Sequence, residues 1–449
     1  MTTQASTPTG KRAIFFHTSW ATYGRNFQVK DLHPDVTDVY YAFFNVDASG
    51  NVFSGDVYAD FDKRFTDAST CVGSPDSWND PAGGVYGNLG QLLKLKRTRA
   101  MNVSLCIGGW TWSKYFSDAA STPATRATFV SSVKDLLAKS GGVFNGISLD
   151  WEYLSGDGHN YGNEGNSVRA EDPLNFIALL ESLRREFPGY VLSICCTAAP
   201  EKVTFPVAPF VPLVDQFLVM TYDFKDGKWG DRQSGHHTNP RRSAYGLYSC
   251  EQAADFWIKA GIPPTKVFIG AAAYSRGFAN CGGLGFAANG GSPDKSWEDG
   301  VVDFAGLPVA GATEYNDPIS KAAYSHDPVR KVLNSYDNAA SVIEKCKIVY
   351  EKNLGGIIVW ESSGDSRVYS KSLSKVLRDN LTHGKPSGIG PTPPTPPTPP
   401  TPVPTPVPTP VPDQNVDTIL KKYKIMSLNV DVNLETRKVQ SCKVLFDKR

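Results

Sequence analysis

The chain has 449 residues, of which 41% are hydrophobic and 20% charged, a composition typical of a globular protein with one large domain. Its 46 basic and 45 acidic residues give a formal net charge of +1, which excludes the strong positive field of proteins that bind nucleic acid or anionic membranes. There is no apolar run long enough to span a bilayer, and residues 1–13 lack the apolar core of a signal peptide. We therefore expect a soluble protein that binds neither nucleic acid nor membrane, and its cellular location stays open.

Eight short apolar runs indicate β-strands, and longer segments with helical periodicity lie between them. The runs are RAIFFH (12–17), VYYAFF (39–44), NVSLCIG (102–108), FNGISLD (144–150), YVLSICC (190–196), FLVMTY (217–222), VFIGAA (267–272) and GIIVWE (356–361). Helix starts are indicated by Thr122-Pro123, by Asp172-Pro173 and by Ser249 with Gln252 three residues later. This alternation predicts an α/β fold, a (β/α)8 TIM barrel, whose functional residues lie at the C-terminal ends of the strands.

The interval between the seventh and eighth predicted strands, about 80 residues, is too long for one helix and its loops. It is rich in glycine and contains short strand-like pieces. We predict a small α+β subdomain inserted at about 279–334, which forms a wall beside the active face. The barrel with this insertion should occupy residues 1–384.

The composition changes at residue 385. Residues 385–412 are dominated by proline and threonine, which cannot form a core, and are predicted to be a polyproline II linker. Residues 413–449 show strand-like alternation but are too few to bury much surface by themselves. We interpret them as a tail or as the incomplete start of a second domain.

The run FNGISLDWEYL places two acids inside an apolar strand. Because side chains alternate along a strand, Ser148, Asp150 and Glu152 share one face, which in a barrel is the interior and its top. Two carboxylates held close together raise one pKa, and a carboxyl group with a raised pKa serves as a general acid near neutral pH. The alternative is a structural pair tied to arginine or to backbone donors.

The same run resembles the signature of glycoside hydrolase family 18, the chitinase family, whose pattern D-x-x-D-x-D-x-E reads N-G-I-S-L-D-W-E here. Four further segments resemble motifs of that family in the same order: SLCIGGW (104–110), MTYDF (220–224), YSRGF (274–278) and GGIIVWE (355–361). The resemblance covers residues 10–382. SWATYGRNF and SWEDGVVDF resemble the bacterial type with an inserted α+β domain.

The resemblance implies a chitinase that cleaves the β-1,4 bonds of chitin and of N-acetylglucosamine oligosaccharides. In this family the N-acetyl oxygen of the substrate is the nucleophile and forms an oxazolinium ion, so that configuration is retained. Glu152 would be the acid/base, Asp150 would orient the acetamido group and balance the charge of the ion, and Tyr222 would donate to the acetamido oxygen. The family chemistry needs no cofactor and no metal, and the sequence has neither a CxxC motif nor a phosphate-binding loop.

Substrate-binding residues follow from the same resemblance, with Trp360 as the floor of the site. The candidate substrate contacts are Trp20, Phe44, Trp110, Tyr153, Met220, Asp223, Tyr274, Arg276, Trp297, Glu298 and Trp360. For each aromatic residue the alternative is a place in the core, since a tryptophan at the end of a barrel strand often only covers the interior.

Two positions depart from the family pattern, because Asn145 and Ser148 stand where the family has its first and second aspartates. Asp150 then has no acid below it, so its ionised form should be easier to keep, and we predict an active enzyme with an altered pH profile. Two other functions stay open: a chitin-binding lectin without catalysis, and an endo-N-acetylglucosaminidase that acts on other glycans containing N-acetylglucosamine. A monomer is expected in each case.

Overall fold

A computed structural model describes residues 9–388, except 74, 81–83, 155, 157 and 160–164, together with the backbone of residues 425–433 and 438–446. The chain divides into two compact units, Met1–Thr392 and Pro393–Arg449. No helix among the described residues combines the length and the apolar character needed to cross a membrane.

Eight parallel strands of the first unit close into a barrel. The strands of this unit are, in chain order, β1 (Arg12–Thr18), β2 (Asp38–Val46), β3 (Val52–Ser54), β4 (Asn102–Gly108), β5 (Gly146–Asp150), β6 (Val191–Thr197), β7 (Gln216–Met220), β8 (Val267–Ala272), β9 (Arg276–Phe278), β10 (Thr313–Asn316), β11 (Ala323–Asp327), β12 (Val332–Tyr336) and β13 (Gly356–Trp360). The ring runs β1-β2-β4-β5-β6-β7-β8-β13, and β13 pairs back with β1. The predicted TIM barrel is thus confirmed.

Helices connect the barrel strands, and several of them begin at a side-chain cap. They are α1 (Gly87–Lys96), α2 (Phe116–Ser121), α3 (Pro123–Lys139), α4 (Asp172–Glu186), α5 (Cys250–Lys259), α6 (Ala339–Glu351) and α7 (Leu373–Leu377). Thr122 caps α3 by accepting from the backbone N–H of Thr125, and Ser249 caps α5 by accepting from that of Gln252. Both starts agree with the sequence.

The core has two layers, as alternation along the barrel strands requires. Side chains on the inner face, such as Phe16, Tyr40 and Leu218, form a buried cluster inside the barrel. Side chains on the outer face, such as Phe15 and Phe217, pack against the surrounding helices in a larger cluster. The closed interior leaves the polar ends of the strands as the place for a site.

A four-stranded antiparallel sheet, in the order β10-β11-β12-β9, lies between β8 and β13, where an inserted subdomain is expected. Its strands span residues 276–336, a few residues beyond the predicted limits on both sides. The helical part expected of an α+β module is reduced to one 3₁₀ turn, Phe304–Gly306. The residues between the strands instead form loops that reach the active face.

The second unit contains a hairpin of two antiparallel strands, β14 (Ile425–Asn433) and β15 (Lys438–Phe446). It coincides with the strand-like alternation of the predicted tail at 413–449. Most of the predicted linker, residues 389–412, lies outside the described residues.

Candidate active site

A groove of about 2600 Å³ runs across the C-terminal ends of the barrel strands. Twelve of the fourteen predicted site residues line it: Trp20, Trp110, Asp150, Glu152, Tyr153, Met220, Tyr222, Asp223, Tyr274, Arg276, Glu298 and Trp360. These residues come from six strand ends and from the inserted segment, and only the barrel brings them together. The other two predicted residues, Phe44 and Trp297, do not line the groove.

The end of β5 carries the two acids and is fixed to the loop after β4. The backbone N–H of Glu152 donates to the Ser113 hydroxyl over 2.8 Å, and that hydroxyl donates to the Asp150 carbonyl over 3.1 Å. The backbone N–H of Gly109 donates to the same carbonyl over 2.8 Å. Asp150 and Glu152 are therefore held by backbone contacts, which leave their carboxyl groups to the groove.

Gly108 and Gly109 allow this close approach. Both have positive φ, 104° and 82°, which residues with a side chain rarely adopt. A Cβ at Gly108 would lie 2.3 Å from the Asp150 carbonyl oxygen, and one at Gly109 would lie 2.5 Å from the Phe43 ring. The glycine pair thus lets β4 end directly against the acidic strand.

Burial controls the ionisation of the two acids. It raises the pKa of Asp150, with a hydrogen bond from the Cys195 thiol acting in the opposite direction. It also raises the pKa of Glu152 well above its usual range, and the neighbouring charge of Asp150 raises it further. The pair therefore keeps a proton in the range where isolated carboxyl groups have lost theirs.

The two departures from the family pattern lie in different places. Asn145 precedes β5 at the opposite end of the barrel, where its side-chain oxygen accepts from the backbone N–H of Val103 over 2.7 Å. Ser148 is wholly buried, and its hydroxyl has no hydrogen-bond partner among the described residues. Only Ser148 thus lies next to Asp150 on the inner face of the strand. The expectation that Asp150 would ionise more easily without a deeper acid is offset by burial, which the sequence does not reveal.

Tyr222 lies just beyond β7, which ends at Met220, two residues earlier than predicted. Its ring packs against Gly270, where a Cβ would come within 2.8 Å of the ring. Burial and the neighbouring Tyr274 raise the pKa of the Tyr222 hydroxyl well above its usual range. The hydroxyl therefore remains a hydrogen-bond donor at any pH near neutral.

Asp223 is clamped by residues of the segment after β8. Its carboxylate accepts from Arg276 over 2.7 and 2.9 Å and from the Tyr274 hydroxyl over 2.7 Å. Burial alone would raise the pKa of Asp223, but Arg276 and His237 outweigh burial and hold it well below the usual range. The φ of Asp223 is 58°, and the clamp keeps the residue in this uncommon conformation.

The prediction for Phe44 is wrong, because Phe44 is wholly buried in the outer core layer and Phe43 faces the groove instead. Strict alternation along β2 would turn Phe44 inward. An irregularity in the pairing of β2 with β4, between Tyr41 and Phe44, shifts the alternation by one residue. The Phe43 ring consequently stacks on Trp360, with centroids 5.6 Å apart.

Aromatic residues form the floor and walls of the groove. Trp360 lies between Phe16 and Phe43, and the Trp110 and Tyr153 rings meet edge to face with centroids 6.5 Å apart. Trp297 is 53% exposed, yet its indole N–H donates to Asp303 and it does not line the groove. The sequence reasoning missed several lining residues, namely Phe43, Trp112, Lys202, Phe224, Trp229 and Tyr248. An aromatic residue within a polar loop, as in DGKWGD around Trp229, is the signal that could have identified some of them.

Candidate metal ligands are not clustered in the described part of the chain: no three His, Cys, Asp or Glu side chains there are grouped to hold an ion. The polar groups of the groove include the two acids, the Tyr222 hydroxyl and the clamped Asp223. These groups can transfer protons and can form hydrogen bonds with a neutral ligand.

Comparisons with known proteins identify the family of the chain. The model of the family "Glycosyl hydrolases family 18" matches residues 12–365. Chitinase 1 of Aphanocladium album is 37% identical over 372 residues, which cover 79% of this chain and 82% of the relative. Chitinase A1 of Niallia circulans is 32% identical over 433 residues, which cover 83% of this chain and 59% of the relative.

Solved structures with the same fold include the catalytic domain of psychrophilic chitinase B from Arthrobacter TAD20. It has a TM-score of 0.75 and 29% identity and covers 84% of this chain and 96% of that domain. A glycoside hydrolase family 18 N-acetylglucosaminidase from Paenibacillus barengoltzii has a TM-score of 0.65 and 25% identity. The match covers 83% of this chain and 100% of that enzyme's chain.

The fold and the site together define a TIM-barrel hydrolase with an acidic strand end inside an aromatic groove. Since the family model matches well over half of its residues, the chain belongs to glycosyl hydrolases family 18.

Proposed function

We propose that the protein is a chitinase that hydrolyses the β-1,4 bonds of chitin and N-acetylglucosamine oligosaccharides with retention of configuration. The observation that carries this proposal is the pair Asp150 and Glu152, held with raised pKa values at the end of β5 in an aromatic groove. Membership of the family and the named chitinases among its relatives support the choice of substrate.

Glu152 is the proposed general acid and base. A carboxyl group donates a proton to a leaving oxygen only if it is still protonated at the working pH, and burial beside Asp150 favours that form. Once the proton is transferred, the same carboxylate takes a proton from the attacking water. One residue thus serves both halves of a retaining reaction.

Asp150 and Tyr222 act on the acetamido group of the sugar in this proposal. The Asp150 carboxylate accepts from the acetamido N–H and balances the positive charge as the acetamido oxygen closes onto the anomeric carbon. The Tyr222 hydroxyl donates to that oxygen and orients it. Both residues line the groove with Glu152, as this role requires.

The remaining residues bind the sugar chain. Trp360 supplies the floor, and an exposed ring such as Trp110, 49% accessible, offers a flat face to a pyranose ring. We assign further wall contacts to Trp20, Tyr153 and Phe43, with Trp297 at the rim. Polar contacts come from Asp223, Arg276 and Glu298, while Met220 and Tyr274 complete the surface.

The test is hydrolysis of soluble N-acetylglucosamine oligomers by the native protein, with products and their anomeric form followed by NMR. The proposal predicts chitobiose released as the β-anomer. Binding without cleavage would instead indicate a lectin. Cleavage of N-linked glycans in preference to the oligomers would indicate an endo-N-acetylglucosaminidase, and initial release of the α-anomer would contradict the mechanism.

A further inference from the structure

Arg25 lies in the loop after β1, outside the groove-lining set, and its guanidinium contacts two other parts of the molecule. Its Nη1 donates to both carboxylate oxygens of Asp303, over 2.9 and 2.8 Å, and lies 3.5 Å from Oε1 of Glu361. Asp303 belongs to the inserted segment, and Glu361 directly follows Trp360 at the end of β13. One cation therefore joins the loop after β1, the insertion and the strand that carries the groove floor.

The Asp303 carboxylate also holds Trp297. The indole N–H of Trp297 donates to Oδ2 of Asp303 over 2.9 Å, and the guanidinium of Arg25 lies 5.3 Å from the centre of the Trp297 ring. The ring packs on Gly24, where a Cβ would lie 2.9 Å from it. Trp297 is thus fixed from three sides although half of its surface is exposed.

The segment that Arg25 holds forms part of the groove wall. Glu298 follows Trp297 in the chain and lines the groove, 3.5 Å from Arg276. Backbone hydrogen bonds of Val302 with Ser275 attach the far end of the segment to the residues after β8, and the backbone N–H of Ser296 donates to the Val301 carbonyl within the segment itself. Glu298 is held by Lys228 and Arg276, whereas Trp297 is tied toward the groove floor through Asp303 and Arg25.

These contacts are more than a surface ion pair. The side chains of Arg25, Asp303 and Glu361 are only 17%, 16% and 8% exposed. Without the guanidinium, two largely buried carboxylates would be left near each other with no shared cation, which favours a displacement of the more mobile partner. Glu361 is anchored by the Ser363 backbone N–H, and the backbone on either side of Asp303 is anchored to the residues after β8. The displacement should therefore fall on the Asp303 carboxylate and on the Trp297 ring that it holds.

We propose that Arg25 is a positioning residue for the substrate groove, which holds the wall segment 296–303 against the end of β13 and so sets the groove width between Glu298 and Trp360. The proposal rests on the proposed function, because the groove must bind a sugar chain for its width to matter. Arg25 acts through Asp303 and Trp297 and not on the reacting atoms.

The experiment compares native protein with Arg25→Met, Arg25→Lys and the control Arg330→Met. Arg330 pairs with Asp294 within the same insertion, so its loss removes an arginine–aspartate pair without touching the Trp297 contacts. For Arg25→Met we expect KM for a hexamer of N-acetylglucosamine to rise about tenfold, with kcat within about twofold of native. Arg25→Lys should recover part of the loss, and Arg330→Met should behave as native.

Hydrogen exchange of residues 296–303, measured without substrate, gives a readout independent of catalysis and should be faster in Arg25→Met alone. If KM stays at the native value, or if kcat falls together with thermal stability, the positioning role is wrong. If the native protein does not cleave the hexamer, the proposed function fails separately. In that case the dissociation constant of the hexamer tests the positioning role of Arg25. Weaker binding by Arg25→Met than by native protein supports the role, and equal binding overturns it.

Discussion

The ring of Phe43 stacks on Trp360 with centroids 5.6 Å apart and planes inclined by 22°, whereas its chain neighbour Phe44 is wholly buried on the other side of β2. Consecutive residues of one strand thus serve different layers of the molecule. Phe43 packs against the floor of the groove, and Phe44 fills the space between the barrel and the helices.

This arrangement predicts opposite effects for two matched substitutions. Phe43→Leu keeps most of the apolar volume but removes the stacked ring, so KM for oligosaccharides should rise several-fold, since an aromatic pair is worth about 0.5–1.5 kcal/mol. Phe44→Leu should leave KM within about twofold and lower the free energy of unfolding by about 1 kcal/mol. Steady-state kinetics and denaturant unfolding check both, and a KM effect confined to Phe44→Leu would contradict the assignment.

Ser148→Asp should change the pH dependence of kcat/KM. A buried carboxyl group two residues from Asp150 on the same face adds a like charge, which raises the pKa of Asp150. Because Asp150 must be ionised to balance the oxazolinium ion, the acidic limb of the profile should move upward by about one pH unit. The control is Ser148→Asn, because asparagine has the same size as aspartate but carries no charge. Superimposable profiles for native protein and Ser148→Asp would show that the position has no influence on Asp150.

Glu152→Gln should stabilise the protein at high pH. The pKa of Glu152 in the folded protein is raised above its ordinary value of 4.5, so ionising it costs more in the folded than in the unfolded state. That cost is absent below about pH 4 and grows as the pH rises through the folded-state pKa. We expect the variant to be more stable than native protein at pH 8 and equally stable at pH 4. Urea unfolding at the two pH values measures the difference, with Glu181→Gln, at an exposed position, as the control. A gain of equal size at both pH values would exclude ionisation as its cause.

Asp223→Asn should weaken the contacts that Asp223 makes with Tyr274 and Arg276 just after the end of β7. Asparagine accepts the positive φ of this position, so the substitution isolates the loss of charge opposite the largely buried Arg276. Because the Asp223 side chain is 35% exposed, the expected loss of stability is about 1–2 kcal/mol, with lower kcat/KM because Tyr274 and Arg276 lose their common charged partner. Asp231→Asn removes an exposed partner of Lys225 and should cost less than about 1 kcal/mol. Thermal unfolding of both variants tests this, and equal losses would contradict it.

The barrel could be predicted because its signals are local. Each apolar run marks a strand, and the caps at Thr122 and Ser249 mark helix starts, so eight repeats were enough to indicate the closed sheet. The acidic strand end and most groove residues followed from motifs that occupy strand ends.

The remaining features depend on contacts that a single strand does not encode. The shift that exchanges Phe43 and Phe44 arises from the pairing of β2 with β4. The raised pKa of Asp150 follows from burial by the whole barrel. Trp229 and Tyr248 reach the groove from loops whose path depends on the rest of the fold.

The most direct test of the account is hydrolysis of a soluble N-acetylglucosamine oligomer by native protein, Glu152→Gln and the control Glu181→Gln. General acid catalysis contributes about 10²–10⁴-fold, so kcat of Glu152→Gln should fall by at least about 100-fold while the control stays at the native rate. Oligomer binding should persist in all three proteins. Turnover by Glu152→Gln at the native rate would contradict the assignment of Glu152 as the acid.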